Sequence, residues 1–209
     1  MASTGIGSAT KPALISAALF QQDQFMARQK IFSLAPSFYF HDQQGNALAF
    51  LRKKVFTWRD EIRVFTDENQ SMELLQIKAR KIIDWGTAFD VTDSINHQRV
   101  GALKRRAWKS LIRKEWTIMD ANDQEIGRIQ EDSVFLATVR RYLINVIPQS
   151  YTFEIRGRQI GTATQNWNFF APRMNVDFSG DPGKELDRRL VAAAIVLLMA
   201  VEGRQQAYD

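Results

Sequence analysis

Cysteine is absent from the 209 residues, and histidine occurs only twice, as His41 and His97. Without a thiol there is no cysteine nucleophile, cysteine-ligated zinc, iron–sulfur cluster or disulfide. Two imidazoles cannot build a three-histidine metal site, and any nucleophile–histidine–acid relay would have to rest on one of them. Gly5-Ile-Gly7 opens like a dinucleotide fingerprint, but no strand pattern precedes it and the third glycine is missing. Asp84, Asp90 and Asp93 crowd together, yet hairpin placement and neighbouring lysines explain them without catalysis. The chain therefore reads as a non-enzyme, with no cofactor and no metal. What remains is ordinary for a globular domain, 45% apolar and 24% charged, which sets aside a disordered tail, a collagen-like fibre and a disulfide-stapled miniprotein.

Four segments repeat one pattern: alternating apolar and polar residues, a turn rich in Asp, Asn or Gly, then a second apolar strand. They are Phe38–Asp42 into Ala47–Leu51, Phe89–Asp93 into Val100–Leu103, Trp116–Asp120 into Ile126–Ile129, and Phe153–Gly157 into Ile160–Gly161. In three of them an apolar residue precedes glycine, at 100/101, 126/127 and 160/161, the mark of a bulge, a bend or a close backbone approach. Further strands are expected at Phe25–Phe32, Val55–Trp58, Glu61–Phe65, Met72–Ala79 and Arg173–Phe178, about a dozen in all. Ser133–Ile147 has helical spacing and reads as one short amphipathic helix ended by Pro148.

A second helix is expected near the C-terminus, with Asp181 as cap, Pro182 in its first turn and Gly203 at its end. From Leu190 to Val201 it carries no polar side chain on any face, so it must be enclosed by protein or lipid. At 1.5 Å per residue this run covers about 18 Å, too short for a hydrocarbon layer of about 30 Å. Arg188, Arg189 and Glu202 bound it closely, and lengthening the span would draw charge into lipid. The expected fold is mainly β (α+β): a closed antiparallel barrel of about twelve strands around this buried helix, since a barrel of that size has room for one. Residues 1–16 read as a flexible N-terminus and 17–205 as a single barrel domain. Lys11 and the apolar run Ala13–Phe20 have the outline of an export signal, but a single cation and no clear small-residue cleavage site argue against one. A cytoplasmic protein, peripheral at a membrane when docked, is expected.

The repeated hairpins, the stretch Phe89–Glu131 and the apolar helix followed by Glu202-Gly203-Arg204-Gln205 resemble the tubby C-terminal-like superfamily, most of all its LURP-one-related and phospholipid-scramblase-like branch. The resemblance covers roughly residues 17–205 and implies a twelve-stranded barrel threaded by the C-terminal helix. Tubby domains tether to phosphoinositides, scramblases are associated with calcium-dependent lipid movement, and plant LURP-one-related proteins are linked to defence. Scramblase-like members carry an acidic calcium-binding stretch just before the helix. Here that position reads Asp177-Phe-Ser179-Gly-Asp181-Pro-Gly183, and its twelfth residue is Arg188 where a bidentate Glu is needed. Asp120–Glu125 also gathers oxygens, but at an expected hairpin turn.

The positive signal is charge. Lys plus Arg number 28 against 23 Asp plus Glu, and Lys104, Arg105, Arg106, Lys109, Arg113 and Lys114 fall in one stretch without an acid. Arg52-Lys53-Lys54 and Lys78 with Arg80-Lys81 form smaller clusters. Trp108, Leu111 and Ile112 interleave with the long basic run, as residues do that sit at a headgroup boundary while cations meet phosphate. These features point to a binding module for acidic phospholipid or phosphoinositide headgroups, or for another anionic partner. The alternatives are scramblase-like lipid translocation and a protein-interaction scaffold with no lipid role. Nucleic acid is disfavoured by the absence of a recognition helix, zinc finger or RNP-type aromatic pair.

Overall fold

A computed structural model describes residues 18–30, 37–52, 61–80, 87–106, 115–132, 149–166 and 172–202, residues 201 and 202 by backbone alone. Twelve strands occupy them: β1(Gln24–Lys30), β2(Ser37–His41), β3(Ala47–Arg52), β4(Glu61–Phe65), β5(Glu73–Ala79), β6(Ala88–Asp93), β7(Gln98–Arg105), β8(Glu115–Met119), β9(Glu125–Glu131), β10(Ser150–Ile155), β11(Arg158–Asn166) and β12(Arg173–Asp177). Each pairs antiparallel with its neighbours in sequence, and β1 pairs with β12, so the sheet closes into a barrel without edges. The expected strand Val55–Trp58, the helix Ser133–Ile147, the flexible terminus 1–16 and the stop at Gly203 lie outside the described residues. A turn of helix at 18–21 leads into β1, and its Leu19 is buried in the core.

The hairpin repeat has five described members, the fifth being β4–β5. Each hairpin slips by one residue, and the extra residue is Leu48, Leu74, Val100, Ile126 or Ile160. The first four stand at positions 48, 74, 100 and 126, a constant step of 26 residues. Such bulges bend a strand and increase its twist, which is what lets a row of hairpins curl around an enclosed object. Glycine follows the extra residue where the walls come closest: a Cβ on Gly127 would stand 2.2 Å from the Glu154 carbonyl oxygen, and one on Gly101 2.3 Å from that of Met119.

The enclosed object is the terminal helix Arg188–Leu197, continued by a π-helical turn Leu198–Glu202. Every side chain from Leu190 to Ala200 is buried, and Val191, Ala193 and Ile195 are wholly so. The helix packs against β5, β6 and β7, with both Leu190 methyl groups over the open side of Gly101. Inward residues of the strands, among them Phe25, Phe40, Val64, Leu75, Ile77, Val91, Ile118, Phe153 and Met174, join the helix in one cluster. Each such side chain contributes about 1.5–3 kcal/mol by leaving water. No helix among the described residues is long and apolar enough to cross a membrane.

One expectation needs correction: the helix does not begin at Asp181. It begins at Arg188 with Asp187 as cap, whose carboxylate accepts the Arg189 backbone N–H. Residues 182–183 form a turn instead, because Asp181 is occupied upstream, accepting the backbone N–H groups of Glu185 and Leu186 at 2.9 and 3.1 Å.

Ala193→Asp tests the enclosure. A carboxylate at a position with no exposure and an apolar lining has nothing to pair with, at a cost of about 4 kcal/mol or more against a total stability of about 5–15. The variant is expected to be unfolded by circular dichroism, and an unchanged melting temperature would refute the enclosed helix.

Candidate anion-binding rim

Up-and-down connectivity sorts the connections into two ends of the barrel. The short turns of the five hairpins and the passage from β12 to the helix lie at one end, and the strand ends joined by the longer connections, such as the end of β7 and the start of β8, lie at the other. The turn end is acidic because aspartate does the turn chemistry. Asp42, Asp67, Asp93 and Asp120 each accept a backbone N–H two to four residues on, from Asn46, Asn69, Ile95 and Asn122, at 2.7–2.8 Å. Asp42 is held below the usual carboxylate range chiefly by the Asn46 side-chain amide, which donates to it at 2.7 Å, with the turn's backbone N–H groups adding to this. Asp120 is thus a turn residue, as its position suggested.

Lys104, Arg105 and Arg106 lie at the opposite end, where β7 leaves the barrel. Consecutive residues of a strand face opposite ways, so they do not share one face. Lys104 and Arg106 are exposed on the outer side, and half-buried Arg105 falls on the side of Leu103 and Gly101. Arg106 is engaged: its guanidinium lies 3.2 Å from Glu115 and 3.1 Å from Glu125, and its Nε donates to the Thr117 hydroxyl at 3.0 Å. Lys104 has no acidic partner among the described residues. Lys109, Arg113 and Lys114, with Trp108, Leu111 and Ile112, lie outside the described residues, on the chain that joins β7 to β8.

The wall beside this rim is a lattice of ion pairs. Asp90 on β6 receives Arg80 and Arg99, and both also reach Asp123 in the β8–β9 turn. Burial alone would raise the Asp90 pKa, but the two guanidiniums outweigh it and lower it. Arg80 is raised, mainly by its hydrogen bond to Asp90. Arg128 pairs with Glu154 at 2.7 Å. The carboxylates Asp90 and Asp93 are therefore structural, Asp93 holding Arg189 of the helix at 2.7 Å. His97 stands exposed in a turn at φ 57°, and His41 lies near the end of β2, its pKa lowered by burial and then by Arg28.

The Asp177–Asp181 stretch is likewise occupied from within. Asp177 accepts the Ser179 N–H and hydroxyl at 2.8 and 2.7 Å. The Arg188 guanidinium, buried to 2% side-chain exposure, meets Asp181 at 2.8 Å and Asp23 at 2.8 Å and lies over the Phe178 ring at 5.1 Å. Where a calcium loop would place a twelfth-position carboxylate and a metal, this chain places its own cation.

A family model described as LURP-one-related matches residues 48–199, from β3 into the terminal helix. The chain belongs to the LURP-one-related family. No curated protein matches it. The match begins inside β3, while the LURP-one-related barrel closes through β1 and β2, which precede it. Two cations that the sequence reading passed over, Arg28 and Arg173, are set opposite each other by that closure; only the pairing of first and last strands could have revealed them.

The Asp181–Arg188 pair generates a pH prediction. Burial would raise the Asp181 pKa, but the Arg188 hydrogen bond and the two backbone N–H groups lower it below its ordinary 3.8. A depressed carboxyl contributes stability that is fully present above the unfolded value and lost as pH falls through the folded one. Asp181→Asn is expected to lose about 3 kcal/mol at pH 7, the low end for a broken buried pair because Arg188 keeps Asp23, and to show a shallower acid decline below that value. Urea melts along an acid series measure both; wild-type stability and slope in the variant would contradict the pairing.

Proposed function

We propose that this LURP-one-related barrel is a non-enzymatic module that docks acidic phospholipid headgroups through its basic end, around Lys104 and the connection from β7 to β8. The observation that carries the reading is the separation of charge along the barrel axis. Aspartates Asp42, Asp67, Asp120 and Asp123 sit in turns at one end. Lys30 and Arg52, at the ends of β1 and β3, and Lys104, near the end of β7, stand exposed toward the other. The chain segments that depart there add Lys53, Lys54, Lys81, Lys109, Arg113 and Lys114 in sequence. A molecule so polarised turns its basic end toward an anionic surface. At about 1 kcal/mol per basic residue near such a surface, several cations supply reversible docking rather than permanent insertion.

The non-enzymatic part of the proposal rests on what the candidate groups are doing. Asp90, Asp93, Asp123 and Asp181 are committed to arginines, and the two histidines lie apart, one exposed in a turn and one packed beside Tyr39. Neither histidine faces a nucleophile–acid pair among the described residues.

Co-sedimentation with vesicles of phosphatidylcholine, alone or mixed with phosphatidylserine, tests the docking. Binding is expected only with the mixed vesicles and should weaken as salt rises. Lys104→Glu should lower the partition coefficient about five- to thirty-fold. Equal binding to both vesicle types, or none to either, would overturn the proposal.

A further inference from the structure

The wall made by β12, β1, β2 and β3 carries a different set of cations. Phe25 and Ala27 of β1 and Met174 and Val176 of β12 are buried in the core, so Arg28 and Arg173 point outward. The register sets these two arginines directly opposite each other, an arrangement in which like charges repel. Their line continues to Asn166 beyond Arg173 and to Tyr39 beyond Arg28. One rung further toward the basic end, Lys30, Ser37 and Arg52 are in register. None of the four cations has a carboxylate partner among the described residues, and Glu68 is taken by the Tyr39 hydroxyl at 2.8 Å. On the opposite wall Arg80, Arg99, Arg106 and Arg128 are all carboxylate-bound.

Arg173 adds a second, independent sign. Its Nε is buried and has no hydrogen-bond acceptor among the described residues. A charged donor left unmatched away from water is costly, and a guanidinium fork is shaped to hand paired N–H groups to a carboxylate or phosphate. Directly opposed residues of an antiparallel pair have Cα atoms about 5 Å apart, so both side chains can reach one oxyanion. Two repelling arginines, one with an orphan donor, are relieved together by such a group.

A groove of about 430 Å³ adjoins the pair on the same wall, lined among others by Met26, Thr162, Thr164, Asn175 and Asp177. Its first rung, Met26 and Asn175, lies about 7 Å along the strands from the arginines. Thr162, Thr164 and Asn175 offer hydroxyls and a carboxamide that make no side-chain hydrogen bond among the described residues. Asp42 and Asp177 close the far end and repel a second anion. From this juxtaposition we propose that Arg28 and Arg173 form a binding site for a phosphate monoester, whose hydroxyl-bearing, otherwise uncharged body lies in the groove between β11, β12 and β1.

The site is separate from Lys104: β1 and β7 are six strands apart in either direction around the twelve-strand ring. Calorimetric titration of the full chain with glycerol phosphate, inorganic phosphate and glycerol tests it. Saturable binding is expected for glycerol phosphate, weaker binding for inorganic phosphate and none for glycerol. Arg28→Gln and Arg173→Gln should each weaken glycerol phosphate binding about tenfold or more, while Lys104→Glu leaves it unchanged. Both glutamine variants should melt no lower than wild type, since each removes a like-charge opposition. Vesicles containing phosphatidic acid, also a phosphate monoester, distinguish the source. Arginine-dependent binding to these vesicles alone makes the group lipid-borne, and arginine-dependent binding to glycerol phosphate makes it a free metabolite; either supports the site. No saturable binding of any phosphate monoester, or affinity that both glutamine variants retain, would overturn it, whatever the outcome with phosphatidylserine.

Discussion

A helix with no polar face cannot rest on a surface; it has to be surrounded. Leu190 to Ala200 impose that demand, and the rest of the chain answers it. Twelve strands supply a circumference wide enough for a helix, closure between β1 and β12 removes the edges, and one-residue slips at Leu48, Leu74, Val100, Ile126 and Ile160 give the hairpins their curl. Alanines at 192, 193 and 194 keep the rod thin enough to be sheathed. The helix is then fixed at its entrance by charge, Arg188 to Asp181 and Asp23, Arg189 to Asp93 and Asp187. Those arginines are buried or half-buried, so their pairing fixes where the helix starts rather than adding a large net stability.

With the interior given over to packing, what distinguishes one part of the molecule from another is its outside, and the outside is not uniform. Alternating connection gives one end of the barrel all the tight turns, which recruit aspartate for its short hydrogen-bonding side chain. At the other end the described strand ends carry Lys30, Arg52 and Lys104, exposed. Charge separation along the axis follows from topology and turn chemistry together. Around the circumference, the β6–β9 wall neutralises its arginines against Asp90, Asp123 and Glu125, whereas the β12–β3 wall leaves Arg28, Arg173, Lys30 and Arg52 without acids among the described residues.

The architecture was legible in the sequence because two periodicities announce it. Alternation with turn residues marks the hairpins, and a run such as Leu190–Val201, apolar all round, admits only enclosure. Apolar-then-glycine pairs at 100/101, 126/127 and 160/161 marked the bulges correctly; Leu48 and Leu74 carried no such mark, since Ala49 and Leu75 follow them. The start of the helix was misplaced because Asp181 looks like a cap to any local reading. What overrides it is Arg188, seven residues on, reached only through the turn between them. The basic run from Lys104 read as one face, but Lys104 and Arg105 belong to a strand, and a strand deals its side chains to alternate sides. Arg28 and Arg173 were not legible at all, because their pairing exists only once the first strand meets the last.

Amide hydrogen exchange of the terminal helix addresses the enclosure most directly. A rod sheathed by a closed sheet can release its backbone N–H groups only when the sheet itself opens, so Val191 to Leu197 should exchange no faster than global unfolding permits, with the same denaturant dependence as the strand amides of Leu75, Val91 and Ile118. Exchange of those helix amides through a local opening, orders of magnitude faster than the strands and insensitive to denaturant, would place the helix outside the barrel and contradict the account.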